Sequence, residues 1–173
     1  MNLIANTIAV CLIFVGLVVS AEDSHREHGA HVHGSATLAI AFDQSKGHIE
    51  FKTAAWSILG FEHAAHSEKD KKILSEARAK FEKEISKLIA FSPALNCHLK
   101  LTKVEQVPES AHSQHSNFLA QYDVECAKSP KGSQLKIDFS QFAALKDLDI
   151  TVLIEELQIT AEAKGKALQL DLK

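Results

Sequence analysis

The chain is predicted to fold as α+β, a mostly antiparallel β-sheet with one long amphipathic helix packed on it. Several runs alternate apolar and polar residues with a period of two, the signature of strands with one wet face. One stretch repeats its apolar residues at helical spacing opposite a charged face. Two cysteines fall in strand-like runs, where they can pair inside the core.

Residues 3–19 are almost unbroken apolar, and Val19, Ser20 and Ala21 end that run in small residues before Glu22. This reads as a signal peptide, residues 1–21, cleaved after Ala21, with an uncleaved N-terminal anchor as the alternative. Cys11 lacks a small residue directly before it, which argues against a lipoprotein signal. About 150 residues remain, enough for a single domain with its own core. Residues 22–30 are polar and Gly-interrupted and are expected to form a flexible His-containing arm. The domain proper is expected to span residues 31–173.

From His31 alternation begins, with Val32, Ala36, Leu38, Ile40 and Phe42 on one parity. A turn at 43–47 leads into Ile49, Phe51 and Thr53, the second strand of a hairpin. Residues 54–62 are apolar without alternation and read as a turn-rich connection under the sheet. Ser67 with Asp70 three residues later forms a capping-box pattern with Asp in place of Glu. After it Ile73, Leu74, Ala77, Phe81, Ile85, Leu88 and Ile89 predict a helix over 68–89, ended by Ser92 and Pro93.

The remainder reads as strand. Leu99 and Leu101 follow Cys97; Phe118, Ala120, Tyr122 and Val124 precede Cys126; Leu135, Ile137 and Phe139 form another run. Phe142 to Leu145 reads as a short helical turn. Ile150, Val152 and Ile154 lead through Lys164 and Gly165 into Leu168, Leu170 and Leu172, a closing hairpin. With Cys11 in the leader, Cys97 and Cys126 are expected to form a disulfide, paired thiolate zinc ligands being the weaker alternative in an oxidising compartment.

The chemistry lies in the ten histidines. His25, His28, His31 and His33 crowd together just after the leader, and neutral imidazole is the commonest protein ligand for zinc, copper and nickel. His31 and His33, two apart at the start of a strand, place their rings on one face roughly 7 Å apart, and His28 can join from the arm. His63 and His66 sit one helical turn apart just before the helix, beside Glu62. His112 and His115 lie in a polar loop entering the Phe118 strand.

A closed zinc site wants four N, O or S ligands. His31, His33, His63 and one of Glu62, His112 or His115 fill such a set. A disordered His-rich tail that binds metal without a built site is the lesser reading. His48 and His98 read as solvated surface residues.

Other classes find little support. The net charge of -3 with scattered basic residues leaves no footprint for nucleic acid. Neither H-E-x-x-H nor H-x-x-E-H occurs, and there is no G-x-S-x-G, phosphate loop or C-x-x-C. A zinc-dependent hydrolase with Glu62 as base is therefore a low-ranked alternative, and the expectation is that the protein is not an enzyme. Copper is the rival metal, because all-His sites favour Cu(II) by the Irving–Williams order. The single methionine, Met1, argues against Cu(I) thioether handling.

The strings H-G-A-H-V-H-G-S-A-T-L-A-I-A-F, L-G-F-E-H-A and Y-D-V-E-C-A, the last preceded by a late His, resemble the ZrgA-like periplasmic zinc-binding proteins of Gram-negative bacteria, long catalogued as a domain of unknown function. The resemblance runs from about His28 to the C-terminus. It implies a periplasmic protein that binds Zn2+ and assists its uptake alongside an inner-membrane transporter complex. By motif it points to His28, His31 and His33, to Glu62 and His63, and to His115 as the late His. Members often carry a long His/Asp-rich insertion in mid-chain, whereas residues 107–115 here hold only two histidines. That difference implies a small number of defined ions rather than a buffering tract.

Overall fold

Alternation builds two sheets rather than one. The computed structural model describes residues 33–110 and 113–173. The leader, the arm, His31, Val32 and His112 lie outside the described residues. β1 (Ser35–Asp43) buries Ala36, Leu38, Ile40 and Phe42 and turns the residues between them outward. A tight turn with Gln44 at φ 52 reverses it into β2 (Lys46–Ala54), which buries Ile49, Phe51 and Thr53. The short helix α1 (Trp56–Leu59) follows, then α2 (Glu68–Leu88), β3 (Ile89–Phe91), β4 (His98–Pro108), β5 (Ser116–Glu125) and β6 (Gln134–Ile137). β7 (Asp147–Ile154), β8 (Leu157–Ala163) and β9 (Leu168–Asp171) complete the chain.

The large sheet has the order β4-β5-β2-β1-β7-β8 and the small one β3-β6-β9. Within the large sheet β1 and β7 run parallel, the other neighbours antiparallel. The expected layout, a mostly antiparallel sheet with one long helix packed on it, is thereby overturned: the protein is mostly β, nine strands in two sheets. The physical reason is width. Six strands span roughly 25 Å, whereas a helix is only about 10–12 Å across. Only Phe81, Ile85 and Leu88 of α2 are buried, all in its second half. Leu135 and Ile137 of the small sheet, together with Phe139, contribute the apolar surface that the helix lacks. Phe139 stacks on Phe51 with centroids 4.8 Å apart, and Phe91 meets Phe42 edge-on at 5.4 Å.

Two boundaries also differ from expectation. The helix stops at Leu88 and passes directly into β3, because Ile89 takes an extended conformation (φ -137) and pairs with Ile137. The closing hairpin is β7–β8, turned at Glu155 (φ 55), while the Leu168 run leaves for the small sheet. The turn carries no glycine or asparagine, so turn chemistry gave no signal. The capping box is present: Ser67 Oγ accepts from the Asp70 N–H at 3.1 Å, and Asp70 accepts from the Ser67 N–H at 3.3 Å.

The expected disulfide joins Cys97, just before β4, to Cys126, just after β5. It clips the open end of the β4–β5 hairpin. At the opposite end of the sheet lie the start of β1, the end of β2, the end of β4 and the start of β5. The loops at that end hold His33, the 55–67 connection and the 109–115 loop.

Two outcomes are expected. Replacing both Cys97 and Cys126 by Ala lowers unfolding free energy by about 2–4 kcal/mol in a denaturant titration, by the loop-closure argument. Gly34 sits at φ +94, and a Cβ there meets the Ala144 carbonyl at 3.0 Å. Gly34→Ala therefore costs about 1–3 kcal/mol in the same assay.

Candidate metal centre

Three loops meet on one carboxylate. Nε2 of His33 donates to Oε1 of Glu62 at 2.6 Å, and Nδ1 of His115 donates to Oε2 of the same side chain. A carboxylate only accepts, so each ring presents an N–H to it and both tautomers are set by this contact. The Glu62 side chain is 15% exposed, and the two rings are 55% and 64% exposed. The carboxylate thus lies beneath two imidazoles that face solvent.

Each side chain is placed by its own local structure. His33 immediately precedes Gly34, whose N–H donates to Ser57 Oγ at 3.3 Å and whose carbonyl accepts from the Lys146 and Asp147 N–H groups at 2.7 and 3.0 Å. The His33 ring lies 5.2 Å from the ring of Trp56, the first residue of α1. His115 ends a polar loop in which its carbonyl accepts from the Glu109 N–H at 3.0 Å, and β5 begins at the next residue. Glu62 lies in the connection between α1 and α2, after Gly60 closes α1 at φ 78.

The electrostatics follow from the contacts. Burial pushes the Glu62 carboxyl up, but the hydrogen bonds and charges of His115 and His33 outweigh it, leaving its pKa below the ordinary 4.5. The His115 ring is pushed above 6.5 by its hydrogen bond to Glu62 and by that group's charge.

Ligand atoms about 2.0–2.2 Å from a tetrahedral zinc lie roughly 3.3–3.5 Å from one another. The His33–Glu62 separation of 2.6 Å is the spacing of a shared proton, shorter than that of a shared ion. Among the described residues no group of three or more His, Cys, Asp or Glu stands ready-made around an ion position.

The other anticipated ligands are distributed around this triad. His63 and His66 line a cleft of about 240 Å³ together with Glu62, His115, Gln106 and Ser116. His63 is not on the shared carboxylate; its Nε2 lies 3.5 Å from Oδ2 of Asp70, and its ring meets Phe61 at 4.9 Å. Of the anticipated set, His33 and His115 thus share Glu62, while His63 stands apart on Asp70. His28, His31 and His112 lie outside the described residues. His48 contacts Asp123 at 3.4 Å on the outer face, and His98 is exposed.

Sequence reasoning missed three neighbours. Asp70 reads as a helix cap, and that role hides its approach to His63. Trp56 reads as part of an apolar connection. Gln106 follows a register shift between Leu101 and Lys103 that breaks the alternation of β4, so its face could not be read from parity.

No curated protein matches the chain. A family model described as ZrgA family zinc uptake protein matches residues 30–172, nearly all of the domain that carries this triad. The chain belongs to the ZrgA family of zinc uptake proteins.

Proposed function

We propose that this protein is an exported, periplasmic zinc carrier that holds Zn2+ reversibly and passes it toward an inner-membrane transporter complex, without enzymatic chemistry. The observation that carries this reading is the Glu62 carboxylate shared by His33 and His115. Two imidazoles and a carboxylate are an established zinc donor set. His33, Glu62 and His115 supply the core ligands. His63 and His66, on the wall of the adjoining cleft, and His28, His31 and His112, in the neighbouring segments, supply further imidazoles for capture and completion. Nitrogen and oxygen donors alone rank Cu(II) above Zn(II), so the choice of zinc rests on the family. The N-terminal leader supports export, and the disulfide suits an oxidising compartment.

The one tryptophan in the chain provides the test, because its ring lies beside His33. Zinc titration is expected to change Trp56 emission, and His33→Ala to abolish that response. Competition with a chromophoric chelator is expected to show His33→Ala, Glu62→Gln and His115→Ala each weakening zinc by more than about tenfold. Wild-type affinity in all three variants removes the triad from the site.

The pH dependence has opposite signs with and without metal. Zinc must displace the His115 proton, so affinity falls as pH drops through that ring's raised value. In the metal-free protein the His115 contribution to stability is complete below 6.5 and is lost as pH rises through the raised folded value. The Glu62 contribution is complete above 4.5 and is lost as pH falls through its lowered value. With a chelator present, His115→Ala is expected to lower Tm more at about pH 5.5 than at about pH 8.5. With zinc present, the larger loss is expected at about pH 8.5, and equal losses at both values overturn the pairing.

A further inference from the structure

Gln106 faces the core side of the sheet, opposite Phe118 in the β4–β5 register and two residues beyond Val104. A side chain of that polarity in that setting needs partners, and the bonds it makes lead to one loop and the residue that begins β5. Its Nε2 donates to the His63 carbonyl at 2.7 Å, to Ser116 Oγ at 2.6 Å and, more weakly, to the Glu62 carbonyl at 3.3 Å. Its Oε1 accepts from the Ala65 N–H at 3.1 Å. Ser116 Oγ in turn donates to the Glu62 carbonyl. A single amide therefore grips the backbone of residues 62, 63 and 65, a stretch without helix or strand pairing of its own.

We propose that Gln106 is a positioning residue for metal binding: it fixes the 62–65 backbone so that the Glu62 carboxylate stands between His33 and His115. The inference rests on the zinc-carrier reading above and adds a residue to it. Outer groups that orient metal ligands typically change affinity by about 10–100-fold when removed. Gln106 acts through the main chain, so its loss lets Glu62 swing rather than deleting a ligand. Ser116, buried at the start of β5, completes the clamp because its hydroxyl relays the same hold to the Glu62 carbonyl.

The test compares wild type, Gln106→Leu and Ser116→Ala, using zinc and cobalt(II) as probes. Leucine keeps the bulk and suits the apolar neighbours, so the metal-free Tm of Gln106→Leu is expected within a few degrees of wild type. Its zinc Kd is expected to rise about 10–100-fold with unchanged stoichiometry. The visible spectrum of its cobalt(II) form is expected to shift and lose intensity as water replaces the displaced carboxylate. Ser116→Ala is expected to move Kd the same way by a smaller factor.

A Gln106→Leu protein with wild-type Kd and cobalt spectrum overturns the proposal. So does one whose weaker binding comes with an equally large loss of metal-free stability, since the amide then serves the fold alone. If wild type itself fails to bind zinc, the carrier reading falls first.

Discussion

The Glu62 carboxylate is the point on which the arrangement turns. It accepts from one imidazole on each oxygen, and those imidazoles come from sequence positions 29 residues before it and 53 after it. Nothing local joins them. They meet because β1, β2, β4 and β5 are adjacent in one sheet and present their loops at the same end. Burial alone raises a carboxyl's pKa, yet the two rings hold this one ionised. The result is a largely sheltered, ionised carboxylate beneath two solvent-facing rings.

The sheet divides into a fastened end and an open one. At one end the Cys97–Cys126 bridge ties β4 to β5, and the Cys126 N–H donates to the Ser45 carbonyl at 2.9 Å, tying β5 to the β1–β2 turn. At the other end the strands release three loops, which side-chain hydrogen bonds help to organise alongside backbone ones. Ser57 holds Gly34, while Gln106 and Ser116 hold residues 62–65.

Proton and metal compete for the same nitrogen, and this links the proposed carrier role to its chemistry. In the carrier proposed above, the contact that raises the His115 pKa stabilises the metal-free protein and would be lost as zinc replaces the proton. Part of the zinc affinity is spent on that displacement, which favours a site that can also let its cargo go. The exposed rings serve the same end, because a ligand half open to solvent can be approached by an incoming donor.

The residues by themselves determined the pieces. Period-two alternation located most strands, because a sheet with one wet face demands it. Ser67 and Asp70 marked where α2 starts, and two cysteines in strand-like runs pointed to the disulfide. The zinc connection was legible too, since clustered imidazoles are a common zinc donor set, and the motif resemblance agreed with the family match. Alternation states which face of a strand is apolar but not which strand lies beside it, so the parallel β1–β7 pair and the second sheet were beyond its reach. Spacing along the chain also could not say which of His63, His112, His115 and Glu62 would stand beside His33; the register brings His33 and His115 to Glu62 and leaves His63 facing Asp70. The meeting of residues 33, 62 and 115 is a property of strand order, and strand order follows from packing over the whole core.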